Sequence, residues 1–269
     1  MAQAMRFASI ASGSSGNCIY IGSGNTNILI DAGISKKRIE SGLNGIGLSL
    51  KDIDGILITH EHSDHIQGLG VVSRAYHIPI YGTYLTLEAV KSVKSLGKIE
   101  EELYNDIEAD KHFSIKELNI NPFSISHDAA DPVAYRVTDN EKSVAVATDM
   151  GKYDDYIVDN LKGLDSILIE ANHDIRMLEA GPYPYPLKRR ILGDRGHLSN
   201  ETSGKLLNRI INDKMKNIFL GHLSKENNYD KLAFETVRLE INTADNEYKA
   251  DDFNIQVAKR DESSKLYEV

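Results

Sequence analysis

The segment Thr59-His60-Glu61-His62-Ser63-Asp64-His65 puts three imidazoles and two carboxylates into six residues, directly after the apolar run Gly55-Ile56-Leu57-Ile58. On one continuous helix these side chains would point in different directions, whereas on a loop leaving a buried strand they can converge. A solvated turn holds such a set only at a cost unless a cation neutralises it. The ordinary alternative is a His-rich surface loop. The cluster's position, where an apolar strand ends, is a common place for active sites and favours the cation.

Composition narrows the chemistry. The chain has nine histidines but one cysteine, Cys18, so an intrachain disulfide and a thiolate zinc cage are both excluded. Metal chemistry must therefore run on imidazole and carboxylate. With 31 Lys and Arg against 40 Asp and Glu, the formal charge is −9. That excludes a broad basic nucleic-acid coat and a polybasic membrane binder, but not a local basic groove. No apolar run reaches the roughly 18 residues of a membrane span. The opening MAQAMRFASIAS has a short apolar stretch broken by serines, unlike a signal peptide. The expectation is a cytoplasmic protein with no membrane contact.

Strand patterns run over 6–11, 18–21, 27–30, 54–59, 79–82, 115–119, 121–126, 133–137, 143–147, 165–169, 218–220 and 253–258. Helical patterns run over 35–43, 69–77, 85–96, 153–161, 200–211 and 228–242. Residues 138–141 read as a hairpin turn, and 180–196, with three prolines, reads as irregular. No linker divides the chain. The expected fold class is α/β (α+β), one domain over 1–269, with mostly antiparallel sheets.

One cluster seldom completes a metal site, so other strand ends matter. His127 follows the apolar run ending at Ser126, Asp149 follows Val144-Ala145-Val146-Ala147-Thr148, and His222 follows Ile218-Phe219-Leu220-Gly221. A lone His at a strand end is usually structural. Three such residues with the cluster favour ligands.

HxHxDH, then a later His, an Asp and a His, with Asp31 ahead of them, resembles the metallo-β-lactamase superfamily over about residues 7–222. The resemblance implies a four-layer αββα sandwich with a binuclear metal site at one edge of its sheets. It implies that His60, His62 and His127 hold one ion. Asp64, His65 and His222 would hold the other, and Asp149 would bridge them. Asp31 would orient a histidine rather than bind metal. The ions would be divalent transition metals, Zn or Mn first and Fe or Ni next. A bridging hydroxide, formed as the pKa of bound water drops from 15.7 towards about 7, makes hydrolysis the reaction class.

Three local features bear on the substrate. Ser12-Gly13-Ser14-Ser15-Gly16-Asn17 can form an anion nest, with Ser12, Ser14, Ser15 and Asn17 as substrate-binding candidates, or can be a plain hairpin loop. Gly196-His197-Leu198-Ser199-Asn200 resembles the helix-start motif of the superfamily's phosphodiesterase branch. There His197 would protonate the leaving oxygen or stabilise the phosphorane, with Asp64 the other catalytic candidate. Lys188, Arg189, Arg190 and Arg195 lie just upstream as a candidate basic groove, with Arg189, Arg190 and Arg195 the substrate-binding candidates.

The set SGSSGN, LIDAG, THEHSDH, SHDAADPVAY, ATDMG, LIEANHD, GHLSN and GHLS resembles the YycJ/WalJ (VicX) subgroup of bacterial metallo-hydrolases. That resemblance implies 5′→3′ exonuclease action on DNA, with nucleic acid as partner and no obligate protein partner. The alternatives are a small-substrate phosphodiesterase, a tRNA-processing-like RNase, a thioester or lactone hydrolase, or a metal-responsive binding protein. His173 is open between a site role and a loop role. His77 and His112 read as structural.

Overall fold

The computed structural model describes residues 4–139 and 141–269. Asn140, part of the expected 138–141 turn, lies outside the described residues, as do residues 1–3 of the opening segment. The described strands form two seven-stranded sheets. The first contains β1 (Arg6–Ala11), β2 (Cys18–Ser23), β3 (Thr26–Ile30), β4 (Gly55–Leu57), β5 (Ile80–Thr83) and β6 (Tyr104–Ile107). The second contains β7 (Phe113–Ile115), β8 (Leu118–Ser124), β9 (Val133–Thr138), β10 (Ser143–Ala147), β11 (Ser166–Glu170), β12 (Asn217–Gly221) and β13 (Asn254–Val257). A two-residue strand, β14 (Tyr267–Glu268), pairs back onto β1 and completes the first sheet.

The expectation of mostly antiparallel sheets is corrected. Pairings β3–β4, β4–β5 and β5–β6 are parallel, as are β10–β11, β11–β12 and β12–β13. The other six are antiparallel, so the sheets are mixed. The physical reason is the helices, because parallel neighbours need a crossover of a dozen or more residues. The crossovers carry α1 (Lys36–Gly45), α2 (Ser63–Ile66), α3 (Leu69–Tyr76) and α4 (Tyr84–Ser92) in the first half. In the second half they carry α5 (Asp155–Leu161), α6 (Ile175–Ala180), α7 (Tyr185–Leu192), α8 (Asn200–Ile210) and α9 (Asp230–Thr243).

Three apolar layers make the four-layer sandwich. Phe7, Ile28, Ile30, Val144, Leu168 and Phe219 fill the space between the sheets, with the Phe7 and Phe219 rings stacked at 4.5 Å. Leu29, whose side chain leaves the opposite face of β3, packs instead with Ile39, Leu69 and Leu87 from α1, α3 and α4. Ala145, Ile167 and Ile169 meet Val158, Leu206 and Val237 from α5, α8 and α9. This period-2 split of side chains follows from the pleat.

Three local expectations differ. Strands expected at 115–119 and 121–126 are Phe113–Ile115 and Leu118–Ser124, because Lys116 turns the chain at φ 49°. Residues 104–107 form an edge strand whose half-polar face hid its pattern. The segment expected to be irregular holds α7, where Pro186 near the helix start removes an N–H that would lack a partner anyway.

Candidate metal centre

The strands of both sheets deliver polar residues to one edge of the sandwich. Asp31 follows β3, His60 follows β4, His127 follows β8, Asp149 follows β10, Glu170 ends β11 and His222 follows β12. Asp31, Asp149 and His222 take left-handed backbone, φ 61°, 61° and 55°. That region is sparse for side-chain residues and marks sites where the surrounding fold over-determines the chain. Glycines allow the close packing beneath. A Cβ on Gly33 would stand 1.6 Å from the Asp64 carbonyl oxygen, and one on Gly151 would stand 2.3 Å from that of Asp194.

Two groups of donor atoms converge. His60 Nε2 and His127 Nε2 lie 3.1 and 3.3 Å from His62 Nδ1. Asp64 Oδ2 lies 3.5 Å from His65 Nε2 and 3.3 Å from His222 Nε2. Asp149 stands between the groups: Oδ2 is 3.3 Å from His65 Nε2, and Oδ1 is 3.4 Å from His222 Nε2 and 3.8 Å from His127 Nε2. Asp149 Oδ2 is buried and has no hydrogen-bond partner. A buried carboxylate oxygen without a donor is costly unless a cation meets it. Imidazole and carboxylate donors therefore fit divalent metal ions. Cys18 packs in the apolar layer under α1, and burial pushes its thiol pKa up, so no thiolate enters the set.

The outer ring nitrogens are held by acceptors, which aims the inner ones. His65 Nδ1 donates to Asp31 Oδ2 at 2.7 Å, and Asp31 also accepts from the Thr59 amide and hydroxyl at 2.9 and 2.8 Å. His127 Nδ1 donates to the Gly196 carbonyl at 3.2 Å. His222 Nδ1 donates to Glu170 Oε1 at 3.0 Å. Such partners fix the tautomer and ring orientation of a ligand.

The charges follow. Burial and the neighbouring imidazoles hold His60 well below the usual histidine range. Burial also opposes charge on His222, but Asp149, Asp64 and Glu170 outweigh it and lift the pKa to about 10. Burial works to raise the Asp149 carboxyl, yet His222 and His65 hold it below the usual carboxylate range.

Glu170 escaped the sequence reading. It is fully buried and takes four donors: His197 Nδ1 at 2.8 Å, His222 Nδ1 at 3.0 Å, the Leu198 amide at 3.0 Å and the Met150 amide at 2.9 Å. The signal was present, because Glu170 is the one charged residue of the strand Ser-Ile-Leu-Ile-Glu and sits at the strand end. Because His197 gives its Nδ1 proton to Glu170, its Nε2 is left for another partner. The His197 side chain keeps 18% exposure, and its ring lies 5.1 and 5.3 Å from those of His127 and His222.

The other candidates divide. Ser12 is buried, and its hydroxyl accepts from the His222 amide at 2.9 Å, so it braces a strand end rather than facing solvent. Asn17 is also buried, locked to the Gly13 backbone at 3.0 and 3.1 Å, with its own amide bound to the Asp64 carbonyl at 2.8 Å. Both side chains brace the chain here, and Asn17 Nδ2 also lies 3.3 Å from His65 Nε2. Ser14 and Ser15 are exposed and meet the Arg260 guanidinium at 3.5 and 3.0 Å. Arg260, in the polar tail, carried no sequence signal.

Arg190 is tied to Asp128, next to His127, with one contact at 3.1 Å. Arg189 is exposed on α7, and Arg195 lines a cavity beside His127. His173 is buried with Nε2 unpartnered, and burial lowers its pKa to about 4. His77 and His112 are exposed, paired with Glu100 and Asn119 at 3.0 Å each. Among the described residues no helix is long and apolar enough to cross a membrane.

A family model described as the beta-lactamase superfamily domain matches residues 26–218. Exodeoxyribonuclease WalJ of Streptococcus pneumoniae is 42% identical over 89% of this chain and 89% of its own. Exodeoxyribonuclease YycJ of Bacillus anthracis is 38% identical over 85% of this chain and 86% of its own. The crystal structure of Zn(2+)-bound PqqB from Methylobacterium extorquens superposes with a TM-score of 0.70 at 16% identity, covering 96% and 99% of the two chains. That likeness shows the shared fold. On the family match and the relatives' identity over most of their length, the chain belongs to the metallo-β-lactamase superfamily, in the subgroup of the WalJ and YycJ proteins.

Proposed function

We propose that the protein is a metal-dependent phosphodiester hydrolase that degrades DNA from its 5′ ends. The observation that carries this reading is the Asp149 carboxylate set between two imidazole groups, with the Glu170–His197 pair beside it. Two relatives alike over most of their length carry the name exodeoxyribonuclease, which supports DNA as the substrate. In this reading residues 1–269 act as one cytoplasmic domain.

His60, His62 and His127 would hold one ion, and Asp64, His65 and His222 the second, with Asp149 shared. Zn or Mn are the first choices and Fe or Ni the next. Bound divalent ions lower the pKa of water towards neutrality and stabilise charge on a phosphoryl group. Asp31 and Glu170 keep the ligand rings in place. Glu170 holds the His197 Nδ1 proton, so that Nε2 can carry a proton to the leaving oxygen. Asp64, whose side chain is 22% exposed, forms the solvent-facing side of its group and contributes to catalysis by placing the charge there.

The test is digestion of 5′-phosphorylated DNA, RNA, a cyclic phosphodiester and a thioester by the metal-loaded enzyme, with and without chelator. Chelator-sensitive release of mononucleotides from the 5′ end of DNA is expected. Release from the 3′ end would overturn the polarity, and turnover of the thioester alone would overturn the nuclease reading.

A further inference from the structure

A cavity of about 390 Å³ opens on the His127 side of the centre, between residues 124–132 and the start of α5. Its size falls within the roughly 300–1,000 Å³ of small-molecule pockets. Ala129, Pro132 and Tyr156 give it apolar and aromatic lining, and His127 is the wall it shares with the metal centre. Tyr156 is held in place: its hydroxyl donates to Asp110 at 2.6 Å and accepts from the Ser124 amide at 3.0 Å.

Two cations line the same cavity, Lys152 and Arg195. Lys152 pairs with Asp194 at 2.9 Å, but both side chains are largely exposed, and such a pair is readily exchanged for another anion. Arg195 has no acidic partner among the described residues. Asp131 and Asp154 also face the cavity. Asp154 caps α5 by accepting from the Ile157 amide at 3.1 Å, so its charge is partly met by the helix start.

An aromatic ring and apolar lining suit the flat face of a base, and adjacent guanidinium and ammonium groups suit a strand phosphate. We propose that this cavity receives the nucleoside flanking the scissile phosphate, with Arg195 and Lys152 holding the neighbouring phosphate of the strand. The inference rests on the nuclease reading and adds a subsite to it. It also separates Arg195 from Arg190, whose guanidinium is already tied to Asp128.

The experiment compares the wild type with Arg195→Ala and Ala129→Trp, all metal-loaded, with metal content and melting temperature measured as controls of folding. Substrates are a 5′-phosphorylated single-stranded oligonucleotide over a range of salt, and bis(p-nitrophenyl) phosphate, which carries no nucleoside. Arg195→Ala should reduce the slope of log(kcat/KM) against log salt by about 0.7, the value for one phosphate contact on a single strand. Ala129→Trp should raise KM for the oligonucleotide at least about tenfold, well beyond its effect on the aryl diester. An unchanged salt slope in Arg195→Ala, or equal losses on both substrates in Ala129→Trp, would overturn the subsite while leaving the nuclease reading intact. A wild type that hydrolyses the aryl diester but no DNA overturns the nuclease reading and the subsite together.

Discussion

The two halves of the molecule are built alike and loaded differently. Each runs four antiparallel strands into three parallel ones. Asp31 and Asp149 occupy the same place in their halves, after the last antiparallel strand, at φ 61° and two residues before a glycine that packs tightly. Asp31 turns to its own half and is satisfied by Thr59 and His65. Asp149 faces imidazoles from both halves and keeps one oxygen without a donor. The same backbone device thus yields an orienting carboxylate in one half and a bridging candidate in the other. What decides between them is the protons that neighbours offer.

The halves also differ in how they supply donors. The first places His60, His62, Asp64 and His65 on one loop running into α2, while the second places His127, Asp149 and His222 at three separate strand ends. The largest test of this contrast is Asp149→Ala against Asp31→Asn. Asp149→Ala should lower turnover at least about 1,000-fold, since metal-derived charge stabilisation is worth several kcal/mol, and should reduce bound metal measured by mass spectrometry. Metal and turnover both at wild-type levels would break the assignment of Asp149.

His197→Ala should lower kcat by about 100- to 10,000-fold, the range for a lost proton donor, with metal content retained. Loss of an ion in that variant would make His197 a ligand instead. Asp31→Asn and Glu170→Gln should each lower metal affinity or activity by about 10- to 100-fold, but with different signatures. Asp31→Asn should weaken metal binding through His65 and, by way of the Thr59 hydroxyl, His60. Glu170→Gln should act through both His222 and His197, changing the pH profile of kcat as well; an unaltered profile would remove the link between Glu170 and His197.

Protonation offers a further reading. With its pKa lifted from 6.5 to about 10, His222 is charged at pH 8 in the metal-free protein. An ion held by His222 would displace that proton, so binding at pH 8 should acidify an unbuffered solution. The sign for stability is opposite to that of a depressed carboxylate. The His222 contribution is complete below pH 6.5 and disappears as pH rises through about 10, so the metal-free melting temperature should fall across that window. The smallest effect belongs to Arg190→Ala: its pair with Asp128 is half exposed, and its loss should cost at most about 1 kcal/mol of stability by chemical denaturation.

Much of this was legible in the chain. Apolar runs ending in His60, His127, Asp149 and His222 were visible as strands, because buried strands are continuous in sequence and their polar ends are abrupt. The local cluster at 60–65 needed no partner to be noticed. Parallel pairing was not legible, since the pattern of one buried strand does not say which neighbour it joins. Nor was the division of buried Ser12 from exposed Ser14 and Ser15, which share a residue type and differ in burial.

The sequence by itself determined which donors exist and where each strand stops, through hydrophobic patterning and the near absence of cysteine. Tertiary structure decided what each polar group meets. Parallel alignment of β10, β11 and β12 brought Asp149, Glu170 and His222 to one edge, and the packing of the two sheets set them against His65 and His127. Hydrogen bonds and charge act over a few ångströms, so a carboxylate such as Glu170 acquires its role only when residues 27 and 52 positions away reach it.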